Sequence, residues 1–191
     1  RDKLPPTNYN SIRTCKTLGS PLLHIMPEFA HQRHKPPREL VRPRELVVVC
    51  APMRSNVNLS RIARVAGCCG VTRMICCGPA RLDRKIARDA ADFIKVESHR
   101  TLPPTMESLR GENYHLVGLE QTTNSKDLHQ FHFARRTALV IGNERTGLTD
   151  DILRQLDDVV EIPVWGLPYS YNAATATAMA LYEYCRQYPD G

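Results

Sequence analysis

An apolar run without polar alternation, Leu46-Val47-Val48-Val49-Cys50, most constrains the fold of this 191-residue chain. A strand covered on one face alternates apolar and polar residues, whereas a strand covered on both faces does not. The run therefore predicts a strand inside a sheet that carries helices on both faces. Strand and helix patterns alternate after it, so we expect an α/β fold with a mostly parallel sheet.

The alternation continues from Glu45 to the end of the chain. Further strands are expected at 72–77, 93–96, 114–120, 137–141 and 159–163. Helices are expected at 58–68, 104–110, from 149 and at 172–188, with an amphipathic segment at 82–91. In such sheets, functional groups gather in loops beyond the carboxyl ends of the strands. Three of these loops carry unusual residues and are candidates for a functional site.

Residues 1–45 differ from the rest, and we interpret them as an N-terminal arm that precedes a domain at 46–191. Seven of the 14 prolines lie in this arm. Pairs such as Pro36-Pro37 prevent a continuous helix, so we expect only short helical pieces around 9–18 and 27–33. The second half of the arm is basic and suits contacts with phosphates through Arg33, His34, Lys35, Arg38, Arg42 and Arg44.

Charge and cysteine content narrow the setting of the protein but not its function. The formal net charge of +6 allows an anionic partner, although basic proteins are often merely soluble. The seven cysteines include the adjacent pairs Cys68-Cys69 and Cys76-Cys77, and no Cys-x-x-Cys or zinc spacing occurs. Neighbouring cysteines seldom bridge, so we expect reduced thiols and a cytoplasmic protein.

Membrane and metal functions receive no support from the sequence. No apolar run approaches the roughly 18–20 residues that span a bilayer. The first residues have neither the apolar core of a signal peptide nor an initiator Met, so we expect a segment of a longer chain. His24, His31 and His34 have no acidic or cysteine partners at ligand spacing, and a solvated face is expected instead of a metal site.

The first candidate loop runs from Asn56 to Arg64. Asn58 is expected to cap the following helix, because its side chain accepts a bond from an early backbone N–H. Arg61 and Arg64 are three residues apart and share one helix face. The loop fits either a capped helix with two solvated arginines or a substrate site at the end of the preceding strand.

The second candidate loop places two glycines around a polar turn, from Gly142 to Gly147, directly after a buried strand. It lacks the Lys-Ser/Thr of a phosphate-binding loop, since Leu148-Thr149 follows, and it is not Gly-x-Gly-x-x-Gly. A tight turn with exposed backbone N–H groups suits a nucleoside or a carboxylate, but an ordinary strand-to-helix turn has the same pattern.

The third candidate loop, from Ile162 to Asn172, leads into a helix start dominated by alanine and threonine. Small residues of this kind indicate close approach by neighbouring chain or by a ligand. Ser170 and Asn172 are short polar groups at the mouth of that helix, suited either to capping or to ligand contact.

Taken in order, the three loops resemble the three motifs of the SpoU/TrmH group of SPOUT RNA methyltransferases. The matching residues are Asn58 and Arg64; Gly142, Glu144 and Gly147; then Ile162-Pro163, Gly166, Ser170, Asn172 and Leu181-Tyr182-Glu183. Leu59-Ser60 is closer to the tRNA ribose methylase branch than to the rRNA branch. The usual Ser-Leu-Asn-Val is Ser-Tyr-Asn-Ala here, so Tyr171 and Ala173 alter the wall of the cofactor pocket.

The resemblance covers about 46–186 and implies a deep trefoil knot near the C-terminus and a homodimer. Leu181 and Tyr184, with the helix after Asn58, are the expected dimer surface. It also implies S-adenosylmethionine as cofactor and a ribose 2′-hydroxyl of tRNA or rRNA as the methyl acceptor. The expected cofactor-binding residues are Gly142, Ile162, Gly166, Tyr171, Glu120 and Gln121.

For catalysis, the resemblance assigns activation of the 2′-hydroxyl to Arg64. A neutral arginine is scarce because the guanidinium pKa lies above 12, so a charged Arg64 that grips phosphate and stabilises alkoxide is physically easier. Asn58 and Glu144 are expected to orient Arg64, and Ser170 and Asn172 to complete the site. Two alternatives remain open: an inactive RNA-binding module on this fold, and a methyltransferase that acts on a base.

Overall fold

The computed structural model describes residues 29–32 and 35–191. The chain divides into the units Arg1–Pro37 and Arg38–Gly191. The helical piece predicted around 9–18 lies outside the described residues. Residues 29–32 form no helix, so the prediction of a helix around 27–33 is wrong for that stretch. The division into an arm and a domain at 45/46, drawn from composition, stays a prediction.

One sheet organises the unit Arg38–Gly191. Its strands are β1 Leu46–Cys50, β2 Arg73–Cys77, β3 Lys95–His99, β4 His115–Leu119, β5 Lys126–Asp127, β6 Thr137–Ile141 and β7 Asp158–Glu161. They lie in the order β3-β2-β1-β6-β4-β7-β5, and every neighbouring pair is parallel. The predicted parallel α/β sheet is confirmed. The two-residue β5 was missed because so short a strand has no hydrophobic period to detect.

Helices cover both faces of the sheet, as predicted. They are α1 Asn56–Cys68, α2 Arg84–Ala87, α3 Ala90–Phe93, α4 Leu102–Gly111, α5 Asp150–Leu153 and α6 Ala173–Gln187. Leu46, Val48 and Cys50 of β1 pack in the layer with α1 and α6, whereas Val47 and Val49 pack in the layer with α4 and α5. All five residues of β1 are buried, which explains why the run shows no polar alternation.

The segment 82–91 and the strand after it differ from the prediction. Two short helices, α2 and α3, occupy this stretch, separated by Arg88, whose φ of 54° breaks the helical path. Phe93, expected to open a strand, ends α3 and is exposed, and its N–H donates to Asp89 O over 3.0 Å. The strand begins at Lys95, because Ile94 is the residue that enters the core.

Arg44 has a structural position, so its predicted contact with phosphate is wrong. Its side chain is only 8% exposed. Nε donates to Cys69 O and Nη1 to Tyr188 O, each over 2.6 Å, and the guanidinium lies 5.9 Å from the Tyr184 ring centroid. Buried charges need such partners because desolvation is costly. The residue therefore ties residues 38–45 to the ends of α1 and α6.

The prediction that Leu181 and Tyr184 form a dimer surface is also wrong. Leu181 is 0% and Tyr184 1% exposed within the single chain. Together with Ala174 and Thr177 they form the face of α6 that packs inward, at the spacing of successive helical turns. In the described part of the chain, the helices are too short or too polar to cross a membrane. The same residues contain no cluster suited to a metal ion.

Candidate active site

A cleft of about 450 Å³ lies at the carboxyl ends of β6, β4 and β7, which are neighbours in the sheet. This volume is in the range of small-molecule sites, about 300–1,000 Å³. The lining residues come from the ends of these strands, the Gly142–Gly147 turn and the start of α6. Eight of the predicted site residues are among them: Glu120, Gln121, Gly142, Glu144, Ile162, Ser170, Tyr171 and Asn172.

The turn from Gly142 to Gly147 is closed on itself, and the structure shows why both glycines are needed. Asn143 N donates to Gly147 O over 3.2 Å, and Gly147 N donates back to Asn143 O over 2.9 Å. A Cβ on Gly142 would lie 2.7 Å from the carbonyl carbon of Gly147. Gly147 itself has a φ of 62°, which side chains rarely adopt. The turn therefore presents bare backbone to the cleft.

Glu120 fastens this turn to the end of β4. Its Oε2 accepts from Leu148 N over 2.9 Å, and its Oε1 accepts from Gln121 N over 3.2 Å. A Cβ on Gly147 would lie 2.3 Å from Oε2, so turn and carboxylate are in direct contact. The predicted place of Glu120 in the cleft wall follows from this contact.

The start of α1 differs from the prediction. The cap is Ser55, whose side chain accepts from Asn58 N over 3.1 Å, and the helix begins at Asn56. Asn58 therefore lies inside the first turn, and the prediction that it caps the helix is wrong. Because Ser55 Oγ accepts the hydrogen bond from the backbone N–H of Asn58, the side-chain amide of Asn58 is free to contact other loops.

Asn58 joins the three candidate loops. Its Nδ2 donates to Glu144 Oε1 over 3.2 Å, and its Oδ1 accepts from Asn172 Nδ2 over 3.2 Å. Asn172 also caps α6, since its Oδ1 accepts from Ala174 N over 3.0 Å. Three residues predicted from separate motifs thus form one hydrogen-bonded network, named here the Asn58–Glu144–Asn172 network, beside the cleft.

The carboxylate of Glu144 is held in its charged form. Oε2 accepts from Arg54 N and Oε1 from Ser55 N, each over 3.0 Å. Burial works against the charge, but these backbone bonds and the bond from Asn58 lower the pKa of Glu144 below its ordinary value. An ionised acid with fixed orientation therefore borders the cleft.

Two predicted site residues lie away from the cleft. Arg64 is exposed on α1, about 9 Å along the helix axis from Asn58 at 1.5 Å per residue. Within the described residues its side chain makes no hydrogen bond or ion pair, so its orientation by Asn58 and Glu144 stays a prediction. Gly166 lies in the third loop, outside the cleft lining, and has no heavy atom within 4 Å of the position of a Cβ.

Asn143, Arg145 and Ser55 are among the residues of this region that were not predicted from the sequence. Arg145 and Asn143 line the cleft, and Asn143 Nδ2 donates to Pro52 O over 2.7 Å. Asn143 Oδ1 also accepts from Arg145 N over 2.9 Å, which is a local turn pattern that asparagine favours. Ser55 was detectable as a capping residue just before an apolar-periodic helix.

The family model described as "SpoU rRNA Methylase family" matches residues 45–182. The chain belongs to this family. The match spans all seven strands and includes the three loops that meet at the Asn58–Glu144–Asn172 network. The resemblance noted from the motifs is thereby confirmed at the level of family.

A relative from Escherichia coli K12, named tRNA (guanosine(18)-2′-O)-methyltransferase, is 30% identical over 146 residues. These residues are 75% of this chain and 64% of the relative, so the chain spans just under two thirds of that protein's length.

Two solved structures are similar in fold. A SpoU methyltransferase, AviRb from Streptomyces viridochromogenes in complex with the cofactor AdoMet, has a TM-score of 0.68 and 29% identity, covering 79% of this chain and 63% of that one. The Aquifex aeolicus TrmH/SpoU tRNA modifying enzyme has a TM-score of 0.72 and 23% identity, covering 78% of each chain. The second likeness concerns the fold alone.

Proposed function

We propose that this chain uses S-adenosylmethionine to methylate a ribose 2′-hydroxyl of structured RNA, with tRNA favoured over rRNA. The observation that carries the proposal is the Asn58–Glu144–Asn172 network, which joins all three family motifs beside one cleft. The name of the Escherichia coli relative supports the acceptor, and the AdoMet complex of AviRb supports the cofactor.

The residues of the cleft fit this cofactor. Aliphatic side chains of Leu119, Ile141 and Ile162 offer an apolar wall for an adenine ring. Gly142 and Gly147 leave backbone exposed where a Cβ would collide with neighbouring atoms, so a ligand can approach closely. The carboxylates of Glu120 and Glu144 suit a ligand with a positive sulfonium group. S-adenosylmethionine supplies the methyl group and a good leaving group when bound.

The chain's own residues have the task of positioning and of stabilising charge. Asn172 and Ser170, which line the cleft just before and at the start of α6, would hold the ribose, and the hydrogen bond to Asn58 supports this by restricting the orientation of Asn172. Orientation of the attacking oxygen contributes much of the acceleration in such transfers. Arg64 lies outside the cleft of the single chain, so a catalytic role requires that the bound RNA or a second copy of the chain bring it to the ribose. As the hydroxyl loses its proton, a charged Arg64 would then stabilise the developing alkoxide and the adjacent phosphate.

We also propose that the protein works as a homodimer. Met179 and Tyr182 are exposed on the outer side of α6, 37% and 73%, and they are three residues apart, so they form one exposed apolar patch of the kind that can pair with a second copy. Light scattering after size exclusion should give twice the chain mass. Tyr182→Glu should shift the protein to monomer, whereas Phe93→Glu, on the exposed side of α3, should not.

Two further properties are proposed for the chain. The resemblance implies a deep trefoil knot, and close packing of the alanine- and threonine-rich α6 against α1 supports it.

A cytoplasmic location is supported by the free state of every cysteine in the described residues: Cys50, Cys68, Cys69, Cys76, Cys77 and Cys185. Fluorescent tagging of the natural full-length protein in its own cells tests the location.

The activity is tested with an unmodified tRNA transcript and labelled S-adenosylmethionine. Nuclease digestion and nucleoside analysis should yield a 2′-O-methyl nucleoside. A methylated base instead would identify the alternative reaction. Titration calorimetry tests the other alternative, that the chain is an inactive RNA-binding module. The absence of binding heat at millimolar S-adenosylmethionine, together with intact RNA binding, would favour that alternative over an enzyme.

A further inference from the structure

Basic side chains at the two ends of the parallel strands differ in their partners. Near the amino ends of the strands, several basic side chains form ion pairs. The pairs are Arg73–Glu112 at 2.6 Å, Arg136–Glu45 at 2.7 Å and Arg110–Asp157 at 3.0 Å. At the carboxyl ends of the strands, four exposed arginines make no ion pair within residues 29–32 and 35–191: Arg100, Arg81, Arg54 and Arg145. We name these four the arginine row. Arg81 Nη1 does donate to two carbonyl oxygens of its own loop, Pro79 O and Ala80 O, each over 3.1 Å.

The order of the row follows from the topology of the sheet. Arg100 follows β3, Arg81 lies in the loop after β2, Arg54 follows β1 and Arg145 follows β6. These strands are consecutive neighbours in the order β3-β2-β1-β6. With neighbouring strands about 4.8 Å apart, the four loops extend over about 14 Å along the carboxyl ends of the strands. Residues that are distant in sequence therefore form one basic line.

Direct contacts hold the four loops together in the same order. Gly78 N donates to His99 O over 2.9 Å, which joins the loop after β2 to the end of β3. A Cβ on Gly78 would lie 2.9 Å from Pro52 Cβ, so the loops after β2 and β1 touch. Asn143 Nδ2 donates to Pro52 O over 2.7 Å, joining the loops after β1 and β6.

The row begins at the candidate active site. Arg145 lines the cleft, and Arg54 N donates to Glu144 Oε2 over 3.0 Å. The backbone N–H of Arg81 donates to Asn56 Oδ1 over 2.9 Å, which joins the loop after β2 to the start of α1. The basic line thus leads from the Asn58–Glu144–Asn172 network towards β3, on the side of the sheet away from β4 and β7.

We infer that the arginine row binds the phosphates of the RNA chain next to the target nucleotide and so sets the path of the substrate into the cleft. This inference rests on the proposed function and adds the route of its substrate. Exposed guanidinium groups that lack a carboxylate partner bind phosphate without reading sequence. Because the loops are fixed to one another, the cations are spaced in advance of binding.

The test uses Arg81→Ala/Arg100→Ala, which removes the part of the row that is distant from the cleft. The binding of a labelled, unmodified tRNA transcript is measured by anisotropy from about 50 to 200 mM salt. With a slope of about −0.7 to −0.9 per phosphate contact, losing two contacts should flatten the salt dependence by about 1.4 or more. Over this range the wild type should lose about sevenfold more affinity than the variant.

A matched control removes the same charge elsewhere. Arg110→Ala/Arg154→Ala deletes two exposed cations that pair with Asp157 and Asp151, and should leave the salt slope unchanged. An equal change in both double variants would overturn the inference, since net charge would then explain the result. Unchanged slope and affinity in Arg81→Ala/Arg100→Ala would overturn it as well.

Further measurements separate this inference from the proposed function. Binding of S-adenosylmethionine by calorimetry should be the same in the row variant and the wild type. Methyl transfer should show a raised KM for tRNA with a nearly unchanged kcat, and Arg81→Lys/Arg100→Lys should recover most of the salt dependence. Failure of the wild type to transfer methyl would refute the proposed activity, while the binding experiment would still test the row.

Discussion

The side-chain amide of Asn172 donates a hydrogen bond to Asn58 Oδ1 over 3.2 Å, joining two residues that are 114 positions apart. Asn172 at the same time caps α6 through its own Oδ1. One side chain therefore starts a helix and links the third motif to the first. Different substitutions of Asn172 can therefore remove the hydrogen bond to Asn58 alone, or both this bond and the helix cap.

Asn172→Asp should keep the stability of the protein and lose methyl transfer. The carboxylate still accepts from Ala174 N at the helix start but cannot donate to Asn58. Asn172→Ala should lose transfer and also about 1 kcal/mol of unfolding free energy, because the cap is gone. Urea unfolding and single-turnover transfer measure the two effects. Full activity in Asn172→Asp would show that the link is dispensable.

Arg64→Ala should abolish transfer while cofactor binding and stability remain. The side chain is exposed and makes no hydrogen bond or ion pair within the described residues, so its removal should change unfolding free energy by less than about 0.5 kcal/mol. Arg61→Ala, one turn earlier on the same face, is the matched control and should retain most of the rate. Equal rates for both variants would contradict the special role of Arg64.

Gly147→Ala should weaken the binding of S-adenosylmethionine by at least about tenfold. Its φ of 62° would cost about 1–3 kcal/mol for a residue with a side chain. The new Cβ would also collide with Glu120, which lines the cleft. Gly111→Ala is the control, because no heavy atom lies within 4 Å of a Cβ there. Calorimetry that gave equal affinities for the two variants would refute the close approach of ligand to this turn.

Glu144 should make the stability of the protein depend on pH. Against the opposing effect of burial, hydrogen bonds lower its pKa in the folded state, so its contribution is present above the ordinary carboxyl pKa and is lost as pH falls through the lower folded value. The wild type should therefore exceed Glu144→Gln in unfolding free energy at neutral pH, and the difference should shrink in acid.

Urea unfolding between pH 7 and about pH 3 measures this difference. Glu107→Gln removes an exposed carboxylate of α4 that accepts no hydrogen bond in the described residues. Its unfolding free energy should equal that of the wild type at each pH. A constant gap between wild type and Glu144→Gln across this range would contradict the assignment.

Arg44→Ala should destabilise the protein by about 1.5–3 kcal/mol, because hydrogen bonds from a buried charged donor to two part-buried carbonyl groups are lost. Arg38→Ala removes an exposed cation from the same segment and should change stability by less than about 0.5 kcal/mol. Denaturant midpoints compare the two. Similar small losses would mean that Arg44 does not anchor this segment.

Local patterns predicted most of the architecture. The continuous apolar run of β1 indicated a buried strand, and the repeated alternation with helices indicated a parallel sheet covered on both faces. The prediction was wrong where the pattern was short or where two elements shared one hydrophobic segment. Phe93 ends a helix although it resembles the start of a strand, because the adjacent Ile94 takes the place in the core.

The site was predictable as a set of residues but not as a geometry. Asn58, Glu144 and Asn172 were named from three motifs, whereas their mutual hydrogen bonds depend on loops that follow different strands. Arg44 and Arg54 show the same limit: both are arginines beside apolar segments, yet one is buried in the fold and the other is exposed beside the cleft.

By itself, the sequence determined the class of fold, the family and the chemical types at the candidate site, because hydrophobic period and motif spacing are local properties of the chain. Tertiary structure decided that Asn58 joins Glu144 to Asn172, since these two hydrogen bonds require the loops after β1 and β6 and the start of α6 to meet. It also decided that Leu181 and Tyr184 are core residues. Their helical spacing marks one face of α6, but whether that face packs inside the chain or against a second copy is decided only by the tertiary structure.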